Sequence, residues 1–285
     1  MCFLITNSKR TRIMRSKITG GETEFLFATK LLQKYDVKYF KCKETGFIQT
    51  ENPFWLSEAY ESAITKLDVG LVNRNVNLAT QTEKILIKFF NYKQNFLDYA
   101  GGYGLFTRIM RDKGFKFYNT DKFCQNLFAE YFDLKQFSTG TYFELVTAFE
   151  VFEHLANPLE EIGEILQLSD NVLFTTELLP DDLESFKNWY YLSAETGQHI
   201  SFYSLESLKY LALYFGRNLY TNRRTTHLLT KRKLDSDPFY VPVVREPFLL
   251  RKARKYVRRN DEKGQIYMES LIGHDWNLIK DKLNS

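Results

Sequence analysis

Residues 95–115, NFLDYAGGYGLFTRIMRDKGF, carry the strongest fold signal in the sequence. This stretch begins with an apolar run that predicts a buried strand, and its residues 105–113 carry apolar side chains at helical spacing. Three glycines, Gly101, Gly102 and Gly104, lie between the two elements. Glycine lets the backbone approach a ligand where a Cβ atom would clash. The pattern predicts the first half of a βαβ unit with a ligand over the turn.

Length and composition limit the classes of protein. A chain of 285 residues with 44% hydrophobic and 26% charged residues is long enough for one large core and an accessory piece. Aromatic residues reach 16%, which is compatible with sites that hold rings or sugars by their faces, although core packing explains most of them. The net charge of +4 gives no reason to expect a nucleic-acid partner.

The cysteines and apolar runs indicate the compartment. Cys2, Cys42 and Cys124 are too few and too scattered for a disulfide framework, so a reducing environment is expected. The apolar run at the N-terminus is shorter than a signal-peptide core, and no later run approaches a membrane-spanning length. We therefore expect a cytoplasmic protein without a membrane span.

Strands and helices alternate after about residue 79. Thr80 with Glu83 has the spacing of a helix-capping box. Before a second helix, Asn157 is predicted to cap, Pro158 to be the first helical residue and Glu160 to complete the box. Ser204 caps a third. Strands are predicted at 115–120, 144–149 and 171–176, and two further runs, RNLYT and THLLTK, predict an antiparallel pair at the sheet edge.

This alternation predicts an α/β protein with a Rossmann-like, doubly wound, mostly parallel sheet and an antiparallel edge strand. We divide the chain into an N-terminal arm and cap, the α/β core and a helical tail. The arm and cap cover residues 1–78, the core covers 79–232 and the tail covers 233–285. Within the core, an insertion at about 181–204 is expected to cover the acceptor. The cap and the basic tail offer surfaces for a homodimer.

The residues around the glycine turn discriminate between two classes of cofactor. Asp121 ends the second strand, where a carboxylate would bind the ribose hydroxyls of either class. Thr107 occupies the position of the third glycine of a nicotinamide-binding motif, and Asp98 would repel a pyrophosphate. An acid at Asp98 suits a ligand that carries an ammonium group, such as S-adenosylmethionine. A nucleotide-dependent oxidoreductase is therefore disfavoured.

Three segments together resemble known proteins. LDYAGGYG resembles the first motif of class I S-adenosylmethionine-dependent methyltransferases, with Ala100 in place of the first glycine. FELVTAFEVFEHLANP is similar to their fourth motif, with Glu144 in place of the usual aspartate. WYYLSAETGQHISFYSLESL is similar to a segment of a bacterial subgroup linked to surface-polysaccharide or sugar modification.

The resemblance implies a seven-stranded sheet of the methyltransferase type, S-adenosylmethionine as cofactor and methyl transfer to a small acceptor. The favoured acceptor is a hydroxyl of a saccharide, sugar nucleotide or surface-glycan precursor. The residues expected to bind the cofactor are Asp98, Ala100, Gly101, Gly102, Gly104, Asp121, Lys122, Phe149 and Glu150.

Members of that subgroup often begin with a cysteine knuckle that binds zinc. Here CKETG keeps Cys42 and Gly46, but Thr45 replaces the second cysteine and no other pair of cysteines is present. A structural zinc site needs four ligands. No metal site is therefore expected.

The acceptor end of the site is predicted from histidines and aromatic residues. His199 and His154 are the catalytic candidates: His199 as general base or positioning group, and His154 as a catalytic or pocket-shaping residue. Three consecutive aromatic residues cannot all face one core on a regular element. The candidate acceptor-binding residues are Trp189, Tyr190, Tyr191, Tyr203, Tyr60 and Arg74.

Other functions stay open at this level. The chain is alternatively a methyltransferase for another small molecule or a carrier-bound acceptor, or a catalytically silent methyltransferase fold that binds a partner. The sequence does not distinguish methylation of oxygen, nitrogen or carbon.

Overall fold

A computed structural model describes residues 14–61, 68–240 and 268–283. These residues contain ten strands in two sheets. The strands are β1 (Thr23–Leu31), β2 (Tyr35–Cys42), β3 (Ile48–Thr50), β4 (Asn95–Tyr99), β5 (Lys116–Thr120), β6 (Leu145–Ala148), β7 (Asn171–Thr175), β8 (Ser201–Phe202), β9 (Asn218–Thr221) and β10 (Thr226–Thr230).

Helices connect the strands. They are α1 (Leu56–Ala59), α2 (Leu71–Phe89), α3 (Leu105–Asp112), α4 (Pro158–Leu168), α5 (Leu183–Lys187), α6 (Leu205–Tyr214) and a C-terminal helix (Ile272–Leu283), with 3₁₀ turns at Leu134–Gln136, Phe152–His154 and Tyr190–Leu192. Among these described helices, none combines the length and the apolar character needed to cross a membrane.

The large sheet has the expected doubly wound architecture. Its order is β5-β4-β6-β7-β10-β9, in which the first four strands are parallel and β10 runs antiparallel to both of its neighbours. Alternate residues of each strand face opposite cores. Phe96 packs with α2 and α3 on one face, whereas Leu97 packs with α4 and α6 on the other. The prediction of a mostly parallel sheet with an antiparallel edge is confirmed.

The described sheet has six strands rather than the seven of the methyltransferase type. Beyond β5, the edge holds one parallel bridge between Asn119 and Asp133 instead of a further strand. The chain then enters the 3₁₀ turn that begins at Leu134, which ends the pairing after that bridge.

Local capping signals were correct for α6, correct only in part for α4, where the Asn157 side chain makes no capping hydrogen bond, and wrong for α2. Ser204 accepts a hydrogen bond from the Ser207 amide and begins α6 as predicted. Pro158 is the first residue of α4, although Glu161 rather than Glu160 binds the Asn157 amide. The Thr80 prediction is wrong, because α2 begins nine residues earlier at Leu71. The Thr80 hydroxyl instead donates to the Val76 carbonyl at 3.0 Å, so the expected boundary between residues 78 and 79 falls inside a helix.

The N-terminal cap and the insertion form one unit. Strands β1, β2 and β3 make an antiparallel sheet, and β8 from the insertion pairs with β3 as its fourth strand. The Trp55 indole also donates to the Gly197 carbonyl at 2.8 Å. The cap and the insertion are therefore held together by backbone pairing and by a buried hydrogen bond.

Hydroxyl groups surround Cys42, which is fully buried. Burial raises the pKa of the thiol, but hydrogen bonds with Ser16, Thr45 and Thr19 outweigh burial and lower the pKa to about 7. Ile18, in the N-terminal arm, is also fully buried and packs in one cluster with Cys42 and Phe47. The described part of the arm therefore packs against the cap.

The C-terminal helix is attached to the core by charge. Asp275 accepts two hydrogen bonds from Arg111 of α3, at 2.8 and 2.7 Å. The expected helical tail is thus present at Ile272–Leu283. The basic stretch RKARKYVRR, residues 251–259, lies outside the described residues.

Candidate functional site

Two cavities meet at the carboxyl ends of β4 and β6, where ligands bind in open α/β sheets. The larger encloses about 470 Å³ and the smaller about 160 Å³. Ala100, directly after β4, and Glu150, after β6, line both cavities. A ligand that follows the sheet edge would therefore pass from one cavity to the other beside these two residues.

The turn after β4 is strongly curved. Ala100, Gly102 and Gly104 have positive φ angles of 54°, 55° and 82°. Alanine is disfavoured relative to glycine at positive φ angles. Ala100, which stands where the methyltransferase motif has its first glycine, therefore strains the turn. Glu150, across the junction of the cavities, also has a positive φ of 54°. Strained backbone of this kind concentrates at functional sites.

Asp98 lies beneath the turn and is 2% exposed. Its carboxylate accepts hydrogen bonds from Thr147 at 2.8 Å and Thr107 at 3.3 Å. Burial raises the pKa of Asp98 to about 7, against the effect of the two hydroxyls, and the negative charge of Asp121 raises it further. A Cβ atom on Gly101 would lie 2.3 Å from the Asp98 carboxylate, so only glycine fits there.

Asp121 follows β5 and lines the larger cavity. One carboxylate oxygen accepts from the Gly102 amide at 2.9 Å, and the other accepts from the amides of Phe123 and Cys124, both at 2.7 Å. These bonds fix the carboxylate at the strand end, where it would meet the hydroxyls of a ribose. Lys122 lines the same cavity.

The smaller cavity has the donors and acceptors that an amino-acid group needs. Asp98 and Glu150 supply carboxylates for an ammonium, and Phe149 adds an apolar wall. Arg74 also lines it and forms a bidentate pair with Asp68 at 3.0 and 2.7 Å. The two cavities together fit a nucleoside joined to an amino acid. Ala100, Gly101 and Gly102 border the smaller cavity, whereas Gly104 begins α3 and packs against Asn126.

His154 and His199 come together behind the larger cavity. Their ring centroids are 4.8 Å apart, and His154 lines the cavity. His154 Nδ1 is 3.0 Å from the Gln198 carbonyl and His199 Nδ1 is 2.6 Å from the Tyr191 carbonyl. Burial lowers the pKa of His154 to about 4 and that of His199 to about 3, so both rings are neutral at pH 7.

Glu153 completes this group and is fully buried. Its ligand atoms and those of the two histidines all lie within 4.8 Å of one another. Neither oxygen of the carboxylate accepts a hydrogen bond from the described residues. Burial and the charge of Glu150 raise the pKa of Glu153, although the nearby hydroxyls of Tyr191 and Thr176 offset part of the rise.

The aromatic candidates have different locations. Tyr60 lines the larger cavity and stacks on Phe123, with ring centroids 4.9 Å apart. Tyr191 is buried and its ring packs 4.6 Å from that of His199. Trp189 packs against the core of the cap.

Tyr190 and Tyr203, like Trp189 and Tyr191, are not among the residues that line the two cavities. Tyr190 is 75% exposed, and its hydroxyl donates to Glu177. Tyr203 is fully buried and its hydroxyl donates to the Phe152 carbonyl at 3.0 Å. The structure therefore places Tyr203 in the core and does not bring it to the acceptor end, because its only polar atom is used by the backbone.

The sequence interpretation missed much of the cavity lining, including three side chains used in the proposals below, and it missed Glu153. Tyr99, Phe123 and Glu161 line the larger cavity, and Glu153 joins the histidines. Tyr99 and Phe123 are direct neighbours of predicted residues at strand ends. Their position next to those residues was the signal that could have placed them at the site. Glu161 carried none, because it reaches the cavity from the first turn of α4.

Comparison with known proteins identifies the family of the chain. A family model described as a methyltransferase domain matches residues 73–221, just over half of the chain. No curated protein matches the sequence.

Solved structures resemble part of the chain at low sequence identity. One is an O-methyltransferase family 2 protein from Planctomyces limnophilus in complex with apigenin, with 15% identity, a TM-score of 0.43 and coverage of 62% of this chain and 65% of that one. Another is magnesium protoporphyrin IX methyltransferase from Synechocystis with bound S-adenosylhomocysteine, with 12% identity, a TM-score of 0.38 and coverage of 62% and 94%. The match spans less than two thirds of the first of these two proteins.

Proposed function

The chain belongs to the methyltransferase domain family, whose cofactor is S-adenosylmethionine, and we propose that it transfers the methyl group to a hydroxyl of a sugar or surface-glycan precursor. The observation that supports this proposal is the junction of the two cavities at Ala100 and Glu150. It joins a pocket suited to an amino acid with a pocket suited to a nucleoside and an acceptor.

Each binding group has a chemical task in this proposal. Asp121 would accept hydrogen bonds from the ribose diol, and Asp98 and Glu150 would face the ammonium group. Gly101 and Gly102 allow the backbone to approach, and Lys122 and Phe149 border the two ends. The cofactor supplies a methyl group already activated on a sulfonium, so the protein mainly has to align the acceptor and exclude water.

The acceptor class is inferred from the walls of the larger cavity. Tyr60 and Phe123 present a stacked aromatic pair, and Tyr99 adds a third ring. Such surfaces bind the apolar faces of sugar rings, whereas hydroxyls need polar partners such as Glu161 at the same cavity. Another small molecule or a carrier-bound acceptor would use the same surfaces.

His154 and His199 would act on the acceptor. Their Nδ1 atoms are engaged by carbonyls, so Nε2 of each neutral ring has a free lone pair that can take a proton or orient a hydroxyl. His154 lines the cavity and would contact the acceptor, and His199 would act as base or as a positioning group behind it.

Calorimetric titration with S-adenosylmethionine, S-adenosylhomocysteine, NADH and NADPH tests the cofactor. We expect micromolar binding of the first two and none of the nicotinamide dinucleotides. Asp121→Ala should weaken that binding roughly 10- to 100-fold, since it removes charge-assisted hydrogen bonds. Asp181→Ala, at an exposed acid, is the matched control. If neither sulfur cofactor binds, the chain is a silent methyltransferase fold.

Transfer of labelled methyl groups to a panel of sugar nucleotides, with phenols and peptides as competing classes, tests the acceptor. We expect product with a sugar nucleotide and a loss of about 10²- to 10⁴-fold in turnover for His199→Ala with cofactor affinity retained. Product with another class alone would contradict the sugar proposal. Unchanged turnover by the His199 variant would remove that residue from the mechanism.

A further inference from the structure

Glu153, His154 and His199 form a compact group of metal-ligating side chains. Two of them lie in the 3₁₀ turn that follows β6, and the third lies in the segment that leads into β8. Their ligand atoms are all within 4.8 Å of one another. Around a zinc ion with bonds of about 2.1 Å, ligand atoms are separated by about 3.3 Å. Side-chain rotations that bring each atom inward by roughly 1 Å would therefore close a coordination sphere.

The hydrogen bonds of the two imidazoles are those of metal ligands. A ligating histidine usually donates its other ring N–H to a carbonyl or carboxylate, which fixes the tautomer and the ring orientation. Here Nδ1 of His154 faces the Gln198 carbonyl at 3.0 Å, and Nδ1 of His199 faces the Tyr191 carbonyl at 2.6 Å. Each ring therefore keeps the Nε2 lone pair for a ligand.

Glu153 supplies the negative charge. It is 0% exposed, and both of its oxygens lack a hydrogen-bond partner among the described residues. Burying a carboxylate without compensation is costly, and buried charges are normally paired or bound to a metal. The neighbouring imidazoles present lone pairs rather than donors, and the nearby hydroxyls of Tyr191 and Thr176 compensate the carboxylate only in part. A cation would satisfy all three groups at once.

We propose that Glu153, His154 and His199 bind one divalent transition-metal ion of the Zn²⁺ type. Two histidines and a glutamate form a ligand set found at catalytic zinc sites, which keep an open coordination position. Because His154 also lines the larger cavity, that open position would face the acceptor. A hydroxyl of the acceptor would bind there as a further ligand and become more acidic. With the ion bound, this acidification would take the place of the base role proposed for His199, because its Nε2 lone pair would hold the metal.

This assignment differs from the sequence expectation of no metal, which was based on the missing cysteines of the N-terminal knuckle. Its use in catalysis rests on the proposed function, but the binding itself does not. Metal binding and cofactor binding can therefore fail independently.

The test uses the full chain after removal of metal by a chelator, titrated with Zn²⁺ by calorimetry and with Co²⁺ by visible absorption. We expect one ion per chain and a d–d spectrum of nitrogen and oxygen coordination. Glu153→Gln, His154→Gln and His199→Gln should each weaken binding at least 100-fold, since even outer-shell changes at metal sites cost 10- to 100-fold. His274→Gln, at an exposed histidine of the C-terminal helix, is the control and should bind like the unaltered protein.

Circular dichroism and urea unfolding of each variant report whether the fold is retained, and S-adenosylhomocysteine titration reports cofactor binding separately. A variant that binds this ligand normally but loses the metal supports the site. Absence of binding by the unaltered chain, or equal affinity in the three variants, would overturn the proposal. Charge-transfer bands from a cobalt–thiolate bond would also overturn it, because they would assign the ion to a cysteine.

Discussion

Two buried charged clusters have opposite degrees of compensation. Asp275 and Arg111 are each 2% exposed and joined by a bidentate pair, and the third bond of the guanidinium goes to the Phe117 carbonyl at 2.9 Å. Glu153 is as deeply buried, yet its oxygens lack hydrogen bonds from the described residues. The first cluster is complete without a ligand, and the second is not.

Asp98 is intermediate between them. Two threonine hydroxyls bind its carboxylate, but burial and the negative charge of Asp121 raise its pKa. We therefore expect the series from Asp275 through Asp98 to Glu153 to run from structural attachment to ligand binding. Buried charge marks function where the protein leaves the charge uncompensated.

The largest effect on stability is expected for Asp275→Ala. It leaves the Arg111 guanidinium buried without its partner, and breaking a buried pair in this way costs about 3–5 kcal/mol. Urea unfolding would measure the loss, with Asp281→Ala on the exposed side of the same helix as control. A loss below about 1 kcal/mol would show that the C-terminal helix contributes little to the core.

A smaller, pH-dependent effect is expected for Asp98→Asn. The pKa of Asp98 is raised from 3.8 to about 7, so the folded state holds a proton that the unfolded state releases in this range. Stability of the unaltered protein should therefore fall as the pH rises from about 4 to about 7, on the order of 2–4 kcal/mol in total. The variant should lack this fall. Parallel urea midpoints for both proteins from pH 4 to 8 would contradict the assignment.

Ala100→Gly isolates backbone strain at the same turn without changing the charge. Alanine at a φ of 54° costs more than glycine, so the substitution should raise stability by about 0.5–1 kcal/mol. Thermal unfolding would measure the gain, and Ala79→Gly inside α2 should lower stability as the opposite control. A loss of stability for Ala100→Gly would mean that the strain at Ala100 does not destabilise the folded state.

The smallest change in stability is expected for Glu153→Gln. Burial raises the pKa of Glu153, so at about pH 4 the carboxyl is largely protonated in the folded and the unfolded state, and its replacement by an amide should shift the free energy of unfolding by less than about 1 kcal/mol. Methyl transfer should nevertheless fall at least about 100-fold, because the group acts at the acceptor end. Parallel measurements of unfolding and turnover provide the check. A loss of stability like that of Asp275→Ala would assign Glu153 a structural role instead.

Local patterns predicted the α/β core well for identifiable reasons. The glycine turn, the Ser204 cap and Pro158 at the start of α4 depend on neighbours within a few residues, so the sequence carries the whole signal. The helix start predicted at Thr80 was wrong because the Thr80–Glu83 spacing of a capping box can also occur inside a helix. Packing of Ala79 and Ile85 against the core holds α2 as one helix through that position.

Other features depend on contacts between distant segments. The two residues of β8 have no strand signal of their own, and they pair only because β3 presents a free edge. Tyr203 and Tyr60 are both tyrosines in predicted site segments, yet one lies in the core and the other in the cavity wall. Burial of this kind is set by the fold and leaves no local pattern.

Local sequence patterns were enough to predict the alternation of strands and helices, the glycine turn and the acids at the strand ends, because each depends on backbone geometry within a few residues. The contact of Glu153 and His154 with His199, which lies 45 residues after His154, arises from the folding of distant segments against one another. The same long-range contacts give Asp275 a partner in Arg111 and leave Glu153 without one of opposite charge among the described residues. Compensation of a charge depends on which chain segments fold against it, and that information is spread over the whole molecule.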